Sequence, residues 1–245
     1  MSESPSPSSL GSAWAVQPEP DGGGSAGELV SAAELAAQLS ARLCHDFISP
    51  ASAIVSGLDL LEDPTAQDMR DDAMNLIGAS ARKLVALLAF SRVAFGASAS
   101  AETFDTRELE KLTRGVYDHV RPDLDWAVEV PTLNKPAARA LLNLAQLAAG
   151  ALPTGGTARI VAGEQGDFIL IGVEAQGPRS RLRPEVISGL RGEKLAEGLG
   201  GHWVQAYYLY ALVKAAGGSI DHSITEERVM LRARVPATAE QSTAP

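Results

Sequence analysis

The chain of 245 residues carries 21 basic and 30 acidic side chains, and its formal net charge of −9 argues against nucleic acid as a main partner. Hydrophobic residues make up 45% of it, enough for one large core or two modest ones, which excludes a wholly disordered chain. The single cysteine, Cys44, excludes a disulfide framework and suits a reducing compartment.

The N-terminus lacks the basic start and apolar run of a secretory signal. No apolar run approaches the roughly 20 residues that span a bilayer. The expected location is the cytoplasm, with no membrane partner. Residues 1–27, MSESPSPSSLGSAWAVQPEPDGGGSAG, are rich in Ser, Pro and Gly and read as a disordered tail; residues 237–245 read as a second flexible tail. A small-residue stretch, FGASASAETFD, separates a unit at 28–98 from a second at 99–236.

The first unit is helical. Leu35, Leu39, Leu43, Phe47, Ile54, Leu58 and Leu61 recur three or four apart, up to a turn marked by Pro64. A second helix runs through DMRDDAMNLIGASARKLVALLAFSRVAF, with Ala73, Leu76, Ile77, Leu84, Leu87 and Leu88 on one side. Two long helices joined by a short loop make an antiparallel hairpin. A lone hairpin has only one partner for its apolar faces, so pairing with a second copy into a four-helix bundle is expected.

The second unit mixes helix and strand periods. TRELEKLTRGVYDHV, KPAARALLNLAQLAAGAL (Pro136 in its first turn) and HWVQAYYLYALVKAAGG read as helices. LDWAVEV, TARIVAG, DFILIGVE, GSIDHSI and RVMLRARV read as strands. The predicted fold class is α+β: a helical hairpin followed by one sheet covered by helices.

Within the first helix, ARLCHDFISPASAI places His45 about 160–200° from the apolar stripe. His45 falls instead in a polar stripe: Gln38, Arg42, His45, Ser49, Ser52, Ser56, Asp59. A lone histidine on such a face is compatible with simple solvation. Two further features mark this one. Asp46, turned by about 100°, flanks the imidazole and can orient it. Pro50 has no N–H for the carbonyl of Asp46, so a kink is expected at a cost of about 3 kcal/mol. Cys44 diverges from its neighbour and reads as a small buried packing residue. Trp126, Trp203 and Tyr207-Tyr208 read as core. His119, His202 and His222 are scattered without ligand spacing, so no metal site is expected.

HDFISP resembles the His-acid-x-x-x-Pro pattern of the phosphoacceptor helix in bacterial sensor histidine kinases, and it stands in the matching place on a hairpin. The second unit is similar to the GHKL-type ATPase domain of those kinases. ALLNLAQLAAGALPTGG matches that family's box at Asn143, Leu144, Ala148, Pro153, Gly155 and Gly156. The positions of its Mg²⁺-holding Asn, its Lys and its Tyr are taken by Leu147, Gly150 and Ala151. EGLGGHWVQAYYLYALVKAAGGSI resembles the last nucleotide box. The nucleotide-sensing Asp-x-Gly-x-Gly has become EAQGPRS, with Glu174 at best a displaced substitute. A metal–phosphate site that loses its amide ligand and its Gly-rich turn should not bind ATP normally.

The combination, from about residue 30 to 236, resembles the alphaproteobacterial histidine phosphotransferase family, with a degenerate histidine-kinase ATPase-like α/β sandwich. The resemblance implies a homodimer that takes a phosphoryl group on His45 from the receiver domain of a hybrid histidine kinase. It then passes the group to the receiver aspartate of response regulators, in a CtrA-type cell-cycle pathway. It implies no cofactor of the protein's own, since the receiver brings Mg²⁺. His45 and Asp46 would be catalytic. Ser49 and Ser52 would let a partner loop approach, and Arg42 would contact phosphate or a partner acid. Arg179, Arg181 and Arg183 of PRSRLRP would dock acidic receivers in an otherwise acidic protein. Two other readings remain open at this point: an ATP-dependent sensor histidine kinase, and a non-catalytic adaptor in which His45 is incidental.

Overall fold

The computed structural model describes residues 30–96, 102–194 and 200–238. The expected tail at 1–27, most of the linker, residues 197–199 of the last box and the end of the chain from 239 lie outside the described residues.

Helix α1 spans Ala32–Glu62. Ser31 starts it: its hydroxyl accepts a hydrogen bond from the Glu34 N–H at 3.1 Å, satisfying one of the open amides of the first turn. The helix continues through Pro50, which is buried, without interruption. A helix of 31 residues held by tertiary packing tolerates the one backbone bond that proline removes. After a turn at Pro64 and a short 3-10 segment at Gln67–Met69, helix α2 (Arg70–Ala94) returns along α1. Ala73 is buried between them.

The packing stripes read from sequence are only partly covered. Leu58, Leu76 and Leu88 of those stripes remain 39–47% exposed in the single chain, and Val55, Met74 and Val85 outside them are 55–65% exposed. By length and composition alone Gln67–Ala94 is apolar enough to cross a membrane, which corrects the expectation that no run approaches that limit. Its alanines raise the average, while Arg82 and Lys83 stand in mid-helix and one side is packed along α1.

The second unit is a five-stranded sheet with helices on one face. Strands β2 (Asp123–Val128), β4 (Thr157–Gln165), β5 (Phe168–Gln176), β6 (Ser219–Thr225) and β7 (Arg228–Pro236) lie in the order β2-β4-β5-β7-β6. β2 and β4 are parallel; the other pairs are antiparallel. Alternation sends Ile160, Ile171, Val173, Val229 and Leu231 to the covered face. There they meet Leu141 and Leu144 of helix α4 (Lys135–Ala151) and Leu209 and Val213 of helix α6 (Gly201–Ala215). Helix α3 (Thr106–Tyr117) contributes Leu109 and Tyr117 to the same core. The architecture is the α+β one expected, a hairpin followed by a sheet with helices on one face.

Three short elements were not legible. β1 (Thr103–Asp105) and β3 (Thr132–Asn134) pair antiparallel in a two-stranded sheet, and helix α5 (Pro184–Leu190) packs on α6. Three residues carry no period, and seven residues opened by a proline carry barely two turns of one.

The hairpin is fastened to this layer twice. Val30, Leu35 and Leu39 pack on Trp203, Val204 and Tyr207 of α6, and the Val30 N–H donates to the Tyr207 hydroxyl at 3.2 Å. At the far end of α2, the Ala94 carbonyl accepts from Asn143 Nδ2 at 3.3 Å and from the Tyr208 hydroxyl at 3.4 Å. The Phe95 and Tyr208 rings meet at 5.4 Å.

Candidate active site

His45 stands on the outer side of α1 with its side chain 85% exposed. Its Nδ1 lies 3.5 Å from Oδ1 of Asp46. Adjacent helix residues do not face each other, so this contact needs the carboxylate to be held. It is held by Arg42, one turn earlier, whose Nε donates to Asp46 Oδ2 at 2.9 Å. The same guanidinium donates through Nη1 to the carbonyl of Gly201, the first residue of α6. Arg42 and Asp46 are shielded, with side chains 18% and 25% exposed. An Nδ1–H directed at a carboxylate leaves the lone pair on Nε2, which points to water as a nucleophile.

Of the polar stripe, Ser49, Ser52, Ser56 and Asp59 are exposed as expected, whereas Gln38 and Arg42 are half-buried against α6. The face is not wholly polar. Ile48 and Val55, at 61% and 56% exposure, join Ala51, Ser52 and Ser56 in a shallow groove beginning one turn after His45. Sequence reasoning passed over both because they sit between the two stripes it separated. Cys44, expected as a packing residue, is exposed among the described residues.

The residues that carry the kinase resemblance serve the scaffold. Asn143 is fully buried; its Nδ2 donates to Arg139 O at 2.9 Å as well as to Ala94 O, and its Oδ1 lies 3.5 Å from Gln205 Nε2. Leu147 and Ala151 are core residues. Gly156, at φ 127°, brings its backbone so close to β5 that a Cβ would sit 2.3 Å from the Gln176 carbonyl. Glu174 cannot act as a displaced substitute facing the helix layer. It alternates with buried Val173 and Ala175, projects on the uncovered face of the sheet and pairs with Arg228 at 3.3 Å.

Arg179, Arg181 and Arg183 are exposed and alternate with buried Ser180 and Leu182, so the strap presents all three outward. It is pinned: Arg181 N–H donates to Ala151 O at 3.0 Å, and the Thr154 hydroxyl donates to Pro178 O at 2.6 Å. Arg179 adopts φ 60°, a left-handed conformation unfavourable for a residue with a Cβ. Arg183 shares a neighbourhood with the His45 turn through His202. Partial desolvation lowers the pKa of His202 first, Arg42 and Arg183 lower it further, and Glu185 and Asp46 oppose them. No hydrogen bond or ion pair joins Arg179 or Arg181 to the His45 turn among the described residues. No group of three metal-ligating side chains occurs among the described residues.

Similarity to known proteins places a chain with this helical hairpin and helix-covered sheet among the phosphotransferases. Residues 106–228 match the model of the histidine phosphotransferase C-terminal domain. The chain is 34% identical over 206 residues to the protein phosphotransferase ChpT of Brucella abortus (strain 2308), covering 83% of this chain and 97% of that one. A solved bacterial phosphotransferase is 32% identical, covers 84% of this chain and 100% of its own, and superposes with a TM-score of 0.76. The chain belongs to the histidine phosphotransferase family and is a phosphotransferase, not an ATP-dependent kinase.

Proposed function

We propose that His45 is the phosphoacceptor of a phosphorelay, taking a phosphoryl group from the receiver aspartate of a hybrid histidine kinase and passing it to response-regulator receivers. The observation that carries this reading is the 85% exposed imidazole with its Nδ1 turned to Asp46. Nε2 attacks the acyl phosphate in line; the N–P bond forms as the P–O bond to the receiver carboxylate breaks, and Nδ1 keeps its proton against Asp46. Such transfer needs chiefly positioning and neutralisation of the phosphate oxygens. The receiver is the source of Mg²⁺ in this reading, and His45 needs no metal ligands of its own.

Ser49 and Ser52 present small side chains beside His45, and the Ile48–Val55 groove offers an apolar hold next to them. The Arg179–Arg183 strap is the docking surface for an acidic receiver face. Keeping Arg179 at φ 60° costs about 1 kcal/mol, which fits a side chain aimed for a purpose. The exposed Val55, Leu58, Met74, Val85 and Leu88 support pairing of two hairpins into a homodimeric four-helix bundle. Burial of Leu147 and Ala151 and the outward Glu174 support a domain that has given up nucleotide. A CtrA-type cell-cycle regulator as acceptor, and a cytoplasmic location, complete the proposal.

The test mixes the protein with a phosphorylated receiver and follows acid-labile, base-stable phosphate. The expected result is label on the wild type and none on His45→Ala. Label that survives in His45→Ala, or His45 labelled by ATP and Mg²⁺ without any receiver, would overturn the reading.

A further inference from the structure

We propose that Arg42 is a positioning residue that fixes the Asp46 carboxylate against His45 and makes that geometry depend on the place of α6. The proposal rests on His45 as phosphoacceptor and assigns to Arg42 a task different from touching phosphate or partner.

The guanidinium is committed on two sides, to Asp46 Oδ2 through Nε and to the Gly201 carbonyl through Nη1. A planar group with diverging donors can hold both acceptors at once, and a lysine ammonium at this place cannot copy that geometry. With its side chain 18% exposed, Arg42 turns little of its charge to solvent, so it is badly placed to meet an incoming phosphate. What it does reach is the carboxylate orientation. Gripping Oδ2 leaves Oδ1 at 3.5 Å from His45 Nδ1. Without that grip the Asp46 side chain, about 100° around the helix from His45, is free to turn to water.

This matters for the chemistry. As Nε2 bonds to phosphorus, positive charge develops on the ring around the retained Nδ1–H. A carboxylate already fixed there stabilises it with no reorganisation. The second tie is to another part of the fold. Gly201 opens α6, the helix against which α5 packs directly after the Arg179–Arg183 strap. His202 follows Gly201 and feels Arg42, Asp46, Arg183 and Glu185 together. The alignment of the phosphoacceptor is thus fastened to the second domain by one side chain.

A small donor, phosphoramidate, separates alignment from receiver docking. The rate of His45 phosphorylation, followed by intact mass, is compared for wild type, Arg42→Ala, Asp46→Asn and the double variant. Each single substitution is expected to slow the reaction about 10–100-fold, as loss of an outer-shell support does. The double variant should be no slower than Asp46→Asn alone, because Arg42 acts through Asp46. Arg42→Lys should recover only part of the loss; it also serves as the test should Arg42→Ala not fold. Arg42→Ala and Arg42→Lys at the wild-type rate, or losses that multiply in the double variant, would overturn the proposal. Failure of the phosphoacceptor reading looks different: the wild type itself would take its phosphate on another residue.

Discussion

Gly189 of α5 sits where that helix crosses α6, and replacing it with alanine tests how tightly the two are locked. The added Cβ would lie 2.8 Å from the Ala206 Cβ, 2.8 Å from the Trp203 carbonyl and 2.9 Å from the Tyr207 nitrogen. Ordinary contacts are about 3.5–4.0 Å, so the overlap approaches an ångström, and two of the three atoms are backbone that no rotamer change can move. Overpacking of this kind costs about 1–3 kcal/mol. The helix preference of alanine over glycine returns about 0.5–1 kcal/mol. The net loss is about 1 kcal/mol at the middle of these ranges, which lowers Tm by about 2–4 °C in a protein of this size. The control is Gly150→Ala in α4, which is exposed and has no atom within 4 Å of its new Cβ. It should be neutral or stabilising, by up to about 1 kcal/mol. Urea titration of both variants reads the difference. If Gly189→Ala is as stable as Gly150→Ala, the close crossing of α5 on α6 is wrong. The consequence for function follows from Gly201: displacement of α6 should slow phosphorylation of His45 at temperatures where the variant is still folded.

Replacing Arg179, Arg181 and Arg183 together by glutamate should slow transfer from a phosphorylated receiver at least about tenfold at low salt and leave phosphorylation by phosphoramidate unchanged; equal receiver rates would remove the strap from the docking surface. Val85→Glu with Leu88→Glu places charge on the exposed side of α2, so light scattering should show the mass of the single chain, and an unaltered oligomer would place the contact elsewhere. His202 and His222 are both held below the ordinary histidine pKa, by desolvation first and then by Arg42 and Arg183 for the former and Arg191 for the latter. The unfolded chain therefore binds more protons than the folded one on the acid side, so stability is complete above about pH 6.5 and falls as the pH drops through that value. Tm measured from pH 7.5 to 5.5 should decline in the wild type and decline less in His202→Gln with His222→Gln; identical slopes would refute it.

Local periods were enough for the long elements. The hairpin, the α4 and α6 helices and all five strands of the main sheet stand within a few residues of where spacing puts them, because an apolar period runs along each of them. The outward direction of His45 was legible for the same reason. Its setting was not. The bond from Arg42 to Gly201 joins residues 159 apart in the chain, and no local pattern announces it. A solvated arginine and a half-buried one look identical in sequence. Cys44 differs in the opposite direction: a small apolar residue on a helix reads as buried, and among the described residues it is exposed.

The boxes that resemble those of kinases raise a different point, since several of their residues have duties in the scaffold. Asn143, Gly156 and the α6 helix are recognisable in sequence because the fold still needs them. Asn143 closes the end of the hairpin through the Ala94 carbonyl, and Gly156 lets the turn before β4 press on the end of β5. An unsatisfied buried carbonyl or amide costs about 1–3 kcal/mol, which is reason enough to keep such residues whatever the domain binds. Gly150 is exposed, with no atom within 4 Å of an added Cβ, and Leu147 fills core space that an amide would leave poorly paired. The second domain grips the hairpin at Val30–Leu39, at Arg42 through the Gly201 carbonyl, and at Ala94.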